Sequence, residues 1–307
     1  MMKRAAAVTL SLGLMAGLAG CGGVGADNSL VEKIVQAGGR VEYSESDPGA
    51  VRRVMFDSQS KPTPEVLESL KGLPQLDAIL AAESPINDEQ LARIGALTRL
   101  SWLDLSGTKV TDAGLVHLKG LTNLKSLKLE NTGVSDAGLP SLAGMGALLE
   151  LDLSKNKVTD AGLGALGPLT QLKTLRLDLN QIQGSGLDKL KALSALQTLS
   201  LISNPLTDES LKSLAVVEQV QSLYIADTPI TNAAVDSLKK MKNLKMLGIS
   251  RTFIDDDGVK IFLDAVPGVM IPTRALRKPF PAASTPAKAD APAAAPAPAK
   301  ADAPAAK

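Results

Sequence analysis

Between Leu100 and Met145 the apolar positions fall into two successive blocks of the same form. LSWLDLSGTKVTDAGLVHLKGLTN is followed by LKSLKLENTGVSDAGLPSLAGM, so that Leu103 and Leu105 answer to Leu127 and Leu129. The interval of 24 continues through Leu151, Leu175, Leu199, Leu223 and Leu247 without a slip. Self-similarity at a fixed period of this length marks a stacked repeat array. Within each unit the alternating L-x-L predicts a short strand with both leucines on one side. Later leucines at i, i+3 and i+6 predict a helical stripe. Thr111, Thr159, Thr207 and Thr231, each followed by Asp or Asn, are the residue types that begin a helix. One unit buries about seven apolar side chains worth roughly 1.5–3 kcal/mol each, against roughly 1–2 kcal/mol of backbone entropy for each of its residues. No unit folds alone, and stacking supplies the difference.

Upstream, Leu30, Val31, Ile34 and Val35 predict a short amphipathic helix that ends at Gly38-Gly39. Arg40 to Tyr43 and Ala50 to Phe56 predict two strands around the turn signal Ser46-Asp47-Pro48-Gly49. Together they make a cap over residues 30–61 that covers the first coil. The strand Val54 to Phe56 stands one residue out of the repeat register, which implies a one-residue insertion near Ser58 to Pro62. At the far end Ile271 falls 24 after Leu247 and is expected to form the last strand. Asp255, Asp256 and Asp257 lack the Asp-x-Asp-x-Asp-Gly spacing of a calcium loop and read as a helix start.

The consensus L-x-x-L-x-L-x-x-(N/T)-x-(V/I/L)-T-D-x-x-L-x-x-L-x-x-L resembles the leucine-rich repeat proteins, specifically the short T-D-x-G-L type of ribonuclease-inhibitor-like solenoids. The resemblance implies an α/β fold over residues 62–277. That fold is a right-handed leucine-rich-repeat solenoid, a horseshoe with a parallel β-sheet on the concave face and helices on the convex face. It also implies that Thr108, Thr132, Asn156, Asn180, Asn204, Thr228 and Thr252 form an inward polar ladder that satisfies backbone groups at the bend.

The two ends of the chain read differently. Met1, Met2, Lys3 and Arg4 precede an uncharged apolar run from Ala5 to Leu18, which has the length of a signal-peptide core (residues 1–20) and is too short to span a bilayer. Leu18-Ala19-Gly20-Cys21 resembles the lipobox of bacterial lipoproteins, which implies a lipidated Cys21 as the mature N-terminus. Two or more acyl chains anchor far better than one. Residues 21–29 make a short tether, reaching about 28 Å at most beyond the cysteine. The expected location is the cell envelope, on the outer membrane where the host has one and otherwise on the outer face of the plasma membrane. From Lys278 to 307 the chain turns to Pro, Ala and Lys, a composition that predicts a disordered tail with polyproline character, able to contact the cell wall.

Composition narrows the function. Lysine plus arginine (33) nearly cancels aspartate plus glutamate (32), so no global field favours nucleic acid. His117 is the single histidine and sits on the predicted convex helix, and no metal cluster, G-x-S-x-G or phosphate loop occurs. A non-catalytic protein without cofactors is expected, with an unknown protein partner on the concave face. The residues between the strand leucines would face that partner. At the central position they run Asp104, Lys128, Asp152, Arg176, Ser200, Tyr224 and Gly248. The first four alternate in sign and read as a self-neutralised, solvated face. Ile202, Tyr224 and Met246 form an uncharged, exposed apolar patch on three consecutive strands, the expected docking site. Trp102 is a second exposed aromatic, roughly 24 Å from Tyr224.

Overall fold

The computed structural model describes residues 28–272. Cys21, the signal-like start and the tail from Lys278 onward lie outside the described residues. Helix α1 (Asn28–Gln36) buries Leu30, Val31 and Ile34 against the hairpin of β1 (Arg40–Tyr43) and β2 (Val51–Met55). From β2 onward each strand adds in parallel to the one before. These are β3 (Ala78–Leu80), β4 (Trp102–Asp104), β5 (Ser126–Lys128), β6 (Glu150–Asp152), β7 (Thr174–Arg176), β8 (Thr198–Ser200), β9 (Ser222–Tyr224) and β10 (Met246–Gly248). The described sheet thus has ten strands in chain order, open at both edges. Leu103, Leu127, Leu151, Leu175, Leu199, Leu223 and Leu247 stand in register across it, all buried. Val54 pairs with Ile79, 25 residues on, while Ile79 pairs with Leu103, 24 on, so the insertion lies between β2 and β3.

The convex side departs from the helical stripe that the leucine spacing predicts. Helices occur as α2 (Pro64–Ser69), α3 (Asp88–Ile94), α4 (Asp112–Leu115), α5 (Ser210–Leu214), α6 (Val235–Leu238) and α7 (Asp256–Ala265). In the middle coils only 3₁₀ turns remain, at Leu139–Leu142, Gly162–Leu166 and Leu187–Ala192. Coils stack about 4.8 Å apart at the sheet, whereas an α-helix with its side chains is about 10 Å wide. The slimmer 3₁₀ form lets the convex side keep pace with the strands. The last strand also shrinks. Near Ile271 pairing is a single bridge from Met246 to Met270, and Pro272 has no N–H to extend the ladder.

Two polar ladders lock neighbouring coils. In the first, Asn180 donates to Leu153 O at 2.9 Å and Leu177 O at 3.1 Å while accepting from Val158 N at 2.9 Å. Asn156 and Asn204 repeat this two-coil bridge, but Thr108, Thr228 and Thr252 reach only the carbonyl three residues back in their own coil. The second explains the Thr-Asp-x-Gly grammar. Asp88 accepts from Thr111 N and Oγ1 at 2.7 and 2.6 Å, and Asp112 does the same for Ser135, Asp136 for Thr159 and Asp208 for Thr231. The Thr111 hydroxyl meanwhile accepts from Ala113 N, so one side chain caps its own turn and ties it to the previous coil. A Cβ on Gly114, Gly138 or Gly162 would come within 2.2–2.4 Å of the preceding coil's Asp88, Asp112 or Asp136. Glycine stands there because the carboxylate occupies its side-chain space. One rung is missing: Gly184 replaces the aspartate, and Thr207 N turns to Ser210 Oγ in its own coil.

Candidate functional site

On the sheet's concave face the residues between the strand leucines vary from coil to coil, and the face falls into two parts. In the first, β4 to β7, register places Asp104, Lys128, Asp152 and Arg176 side by side as the alternating pattern requires. Among the described residues none of these four forms an ion pair with another, which corrects the expected self-neutralised ladder. The carboxylates turn to backbone instead: Asp104 accepts from Ser106 N at 3.0 Å and Asp152 from Ser154 N at 2.9 Å. Asp152 is 8% exposed and so is buried rather than solvated. Lys128 leans diagonally over Trp102, its Nζ 5.6 Å from the ring centroid. Glu130 pairs with Lys155 at 2.8 Å. Arg176 remains exposed.

Asp178 stands at the border. It accepts from Ser200 Oγ at 2.5 Å and Ile202 N at 2.8 Å. Burial raises its pKa above the ordinary carboxylate value, and the negative charge of Asp152 adds to the rise. The two hydrogen bonds and Arg176 oppose it. Ser154, on the neighbouring strand line, is buried with no partner for its hydroxyl.

In the second part, β8 to β10, charge disappears. Ile202, Tyr224 and Met246 are half-buried rather than exposed, and Tyr224 lies down on its neighbours in the next coil. The Tyr224 hydroxyl donates to Met246 Sδ at 2.8 Å. The Tyr224 ring leans across β10 so closely that a Cβ at Gly248 would sit 2.6 Å from it. Two residues not singled out from sequence extend the patch. Leu179, 49% exposed, donates its N–H to Ile202 O at 2.8 Å, and Met270, 62% exposed, bridges to Met246. Leu179, Ile202, Tyr224, Met246 and Met270 form a diagonal apolar stripe across five coils. Ser203, Asp227 and Arg251 make a hydrogen-bonded polar rim along it. Trp102 stays five strands from Tyr224, outside the stripe.

Leu179 carries a signal legible in hindsight. Its position holds Glu83, Gly107, Asn131, Lys155, Ser203, Asp227 and Arg251 in other coils, all with positive φ. Leu179, at φ 54°, is the apolar exception at a left-handed turn that favours glycine or asparagine. Strain of about 1 kcal/mol at an exposed leucine is where a functional demand is to be sought.

Other features are framework. A polar groove of about 410 Å³ runs along Gln197, Gln219, Gln221 and Asn243, but Gln219 and Asn243 already bind the carbonyls of Leu190, Leu193 and Glu218. His117 is exposed on the convex side. Among the described residues no group of three His, Cys, Asp or Glu side chains could hold a metal ion, and no helix is long and apolar enough to cross a membrane.

A sequence profile described as Leucine Rich repeat matches residues 148–167 and 169–191. No protein of curated function matches the chain. Among solved structures, an internalin C2 from Listeria monocytogenes is 24% identical over 73% of this chain and 93% of its own, with a TM-score of 0.55. An internalin (inlF) from the same organism is 22% identical over 66% of this chain, with a TM-score of 0.51, and this chain spans 62% of its length. With the strand register and the profile match, these likenesses fix the architecture as a leucine-rich-repeat solenoid.

Proposed function

We propose that this chain is a non-catalytic protein-interaction module held at the cell envelope by a lipidated Cys21. Leucine-rich-repeat domains serve typically in protein–protein interaction. The observation that carries the reading is the stripe of Leu179, Ile202, Tyr224, Met246 and Met270 beside a polar rim. Apolar surface rimmed by polar groups is what a docking partner desolvates. The partner is a protein that lays an apolar ridge over Tyr224 and Met246, and a chain with 33 basic and 32 acidic residues carries no net field that favours nucleic acid. Capture of envelope proteins on immobilised chain, compared with Tyr224→Asp/Met246→Asp, tests this. The double variant should lose capture roughly a hundredfold with unchanged circular dichroism. Equal capture refutes the docking surface.

Anchoring rests on the Leu18-Ala19-Gly20-Cys21 string and is tested separately. Cys21→Ser should move the chain from the detergent phase to the aqueous phase on Triton X-114 partition. A second reading, a structural link between membrane and cell wall, rests on the Pro/Ala/Lys composition of residues 278–307. Sedimentation with purified peptidoglycan, with and without those residues, separates the two.

A further inference from the structure

Strands β2 to β10 run parallel, so every coil enters the sheet at one edge of the solenoid and leaves it at the other. The two edges carry opposite charge. The seven residues leading into each strand from β3 to β10 hold ten cations and two carboxylates in all. The seven that begin at the third residue past each of these strands hold four cations and twelve carboxylates. A net charge of +1 for the whole chain therefore conceals a division across its width.

The acids have a task in the fold. Asp88, Asp112, Asp136 and Asp208 hold the next coil, and they stand where convex turns begin and the helix dipole favours them. The entry-edge cations are only partly explained in this way. Lys119 and Lys191 close convex turns and complement the same dipole. Lys125, Lys173 and Lys245 lie past it, at the residue just before β5, β7 and β10, where the dipole has faded. All five, with Lys240, are exposed, and none forms an ion pair among the described residues. They follow a line about 24 Å long, from the coil of β5 to that of β10. The groove on this edge is lined mainly by neutral amides, Gln197, Gln219, Gln221 and Asn243, with Lys245 at its end. A row of separate cations without a seat for one small anion suits an extended, flat anionic surface.

A contact at the cap bears on which surface that is. Helix α1 begins at this same edge: Leu30 Cδ2 lies 3.2 Å from where a Cβ on Gly72 would stand, and Gly72 belongs to the run leading into β3. Cys21 precedes Asn28 by seven residues, so on the reading that Cys21 is lipidated the bilayer lies within about 25 Å of Asn28. We propose that the edge at which the coils enter the sheet lies against anionic phospholipid, held by Lys119, Lys125, Lys173, Lys191, Lys240 and Lys245. The choice of a lipid surface rests on the anchoring reading. The solenoid then lies on its side, with the acidic edge away from the bilayer. The apolar stripe stays open to a partner approaching along the membrane.

Sedimentation with vesicles tests the edge without the acyl chains. The full chain carrying Cys21→Ser is mixed with vesicles of equal parts phosphatidylglycerol and phosphatidylcholine, or of phosphatidylcholine alone. It should prefer the anionic vesicles at least roughly tenfold at low salt and lose that preference at high salt. Adding Lys125→Glu/Lys173→Glu should abolish the preference, a loss of about tenfold or more. Lys109→Glu/Lys157→Glu, the same charge change on the opposite edge, should alter it by less than about threefold. Equal loss in the two variants overturns the proposal, as does a Cys21→Ser chain without the preference. Sedimentation with peptidoglycan but not with anionic vesicles also overturns it, and assigns the edge to the wall. Triton X-114 partition reads the anchor alone, so a failed anchor and a failed edge give different results.

Discussion

The two halves of the concave face share one backbone and one register yet solve opposite problems. From β4 to β7 the central outward residues are charged, and all but the exposed Arg176 are engaged locally. Asp104 and Asp152 close turns with N–H groups two residues on, Lys128 lies over Trp102, and Glu130 holds Lys155. From β8 to β10 no charge remains at the strand positions, and Tyr224 and Met246 lie flat on their neighbours. The difference teaches that alternating charge on a sheet does not make an ion-pair ladder. A short aspartate finds a backbone donor at 2.9 Å more readily than a lysine on the next strand, and an exposed pair adds little. The polar half is self-satisfied, while the apolar half still has surface to bury.

The sharpest way to break the contrast is to remove a shared support beneath both halves. Asn180→Ala strands the Val158 N–H and the Leu153 carbonyl in a buried site and should cost about 3 kcal/mol in urea unfolding. Thr228→Ala, whose hydroxyl reaches only its own coil, should cost about 1 kcal/mol. Equal losses would mean that the two-coil bridge is no stronger than the one-coil form. Leu179→Asn sets stability against binding. It relieves the left-handed strain and should gain about 0.5–1 kcal/mol while weakening capture of the partner. A variant that loses on both counts would show that Leu179 packs for the fold alone.

Lys128→Ala/Arg176→Ala probes the other half. Neither cation has an ion pair among the described residues, so stability should change by less than about 0.5 kcal/mol and partner capture by less than about threefold. The smallest effect concerns Asp178→Asn. Burial raises the Asp178 pKa in the folded state, so the favourable contribution of its neutral form is present at acid pH and lost as pH rises through the folded value. The asparagine variant carries no such loss. Its stability relative to the unaltered chain should therefore improve with rising pH across that window and level off above it. A difference independent of pH would mean that Asp178 does not titrate anomalously.

Much of this was legible because each repeated side chain has one task. Leu103 and its six successors fill the same buried slot, so the period alone assigns them. The site was only partly legible. Asp152 looked solvated because its partner is a backbone N–H, which no residue pattern announces. Leu179 hid at a position defined by φ rather than by side chain. The Thr-Asp-x-Gly strings gave away a helix start but not its second use, since the Asp88 carboxylate acts on a coil 23 residues later. Met270 needed the knowledge that no further coil lies over it among the described residues.

The rung absent at Gly184 has a mechanical consequence. Every other junction in its ladder is drawn together by a side chain bound to the next coil: carboxylates from Asp88 to Asp160 and at Asp208, and the amide of Asn232. Between the coils of β7 and β8 this ladder is crossed only by the neutral Ser210 hydroxyl, to Gln183 O, while Asp178 and Asn204 bridge the same two coils closer to the sheet. That junction is also where the charged half of the face gives way to the apolar half. Under a pulling force applied at the two ends, the Gly184 side of that junction should open before its sheet side, which Asp178 and Asn204 hold. Restoring the rung with Gly184→Asp would not mend it, because Ser210 lies within 2.3 Å of any Cβ at that position. The seam is built into the backbone, and a partner spanning Leu179 and Ile202 would act as its splint.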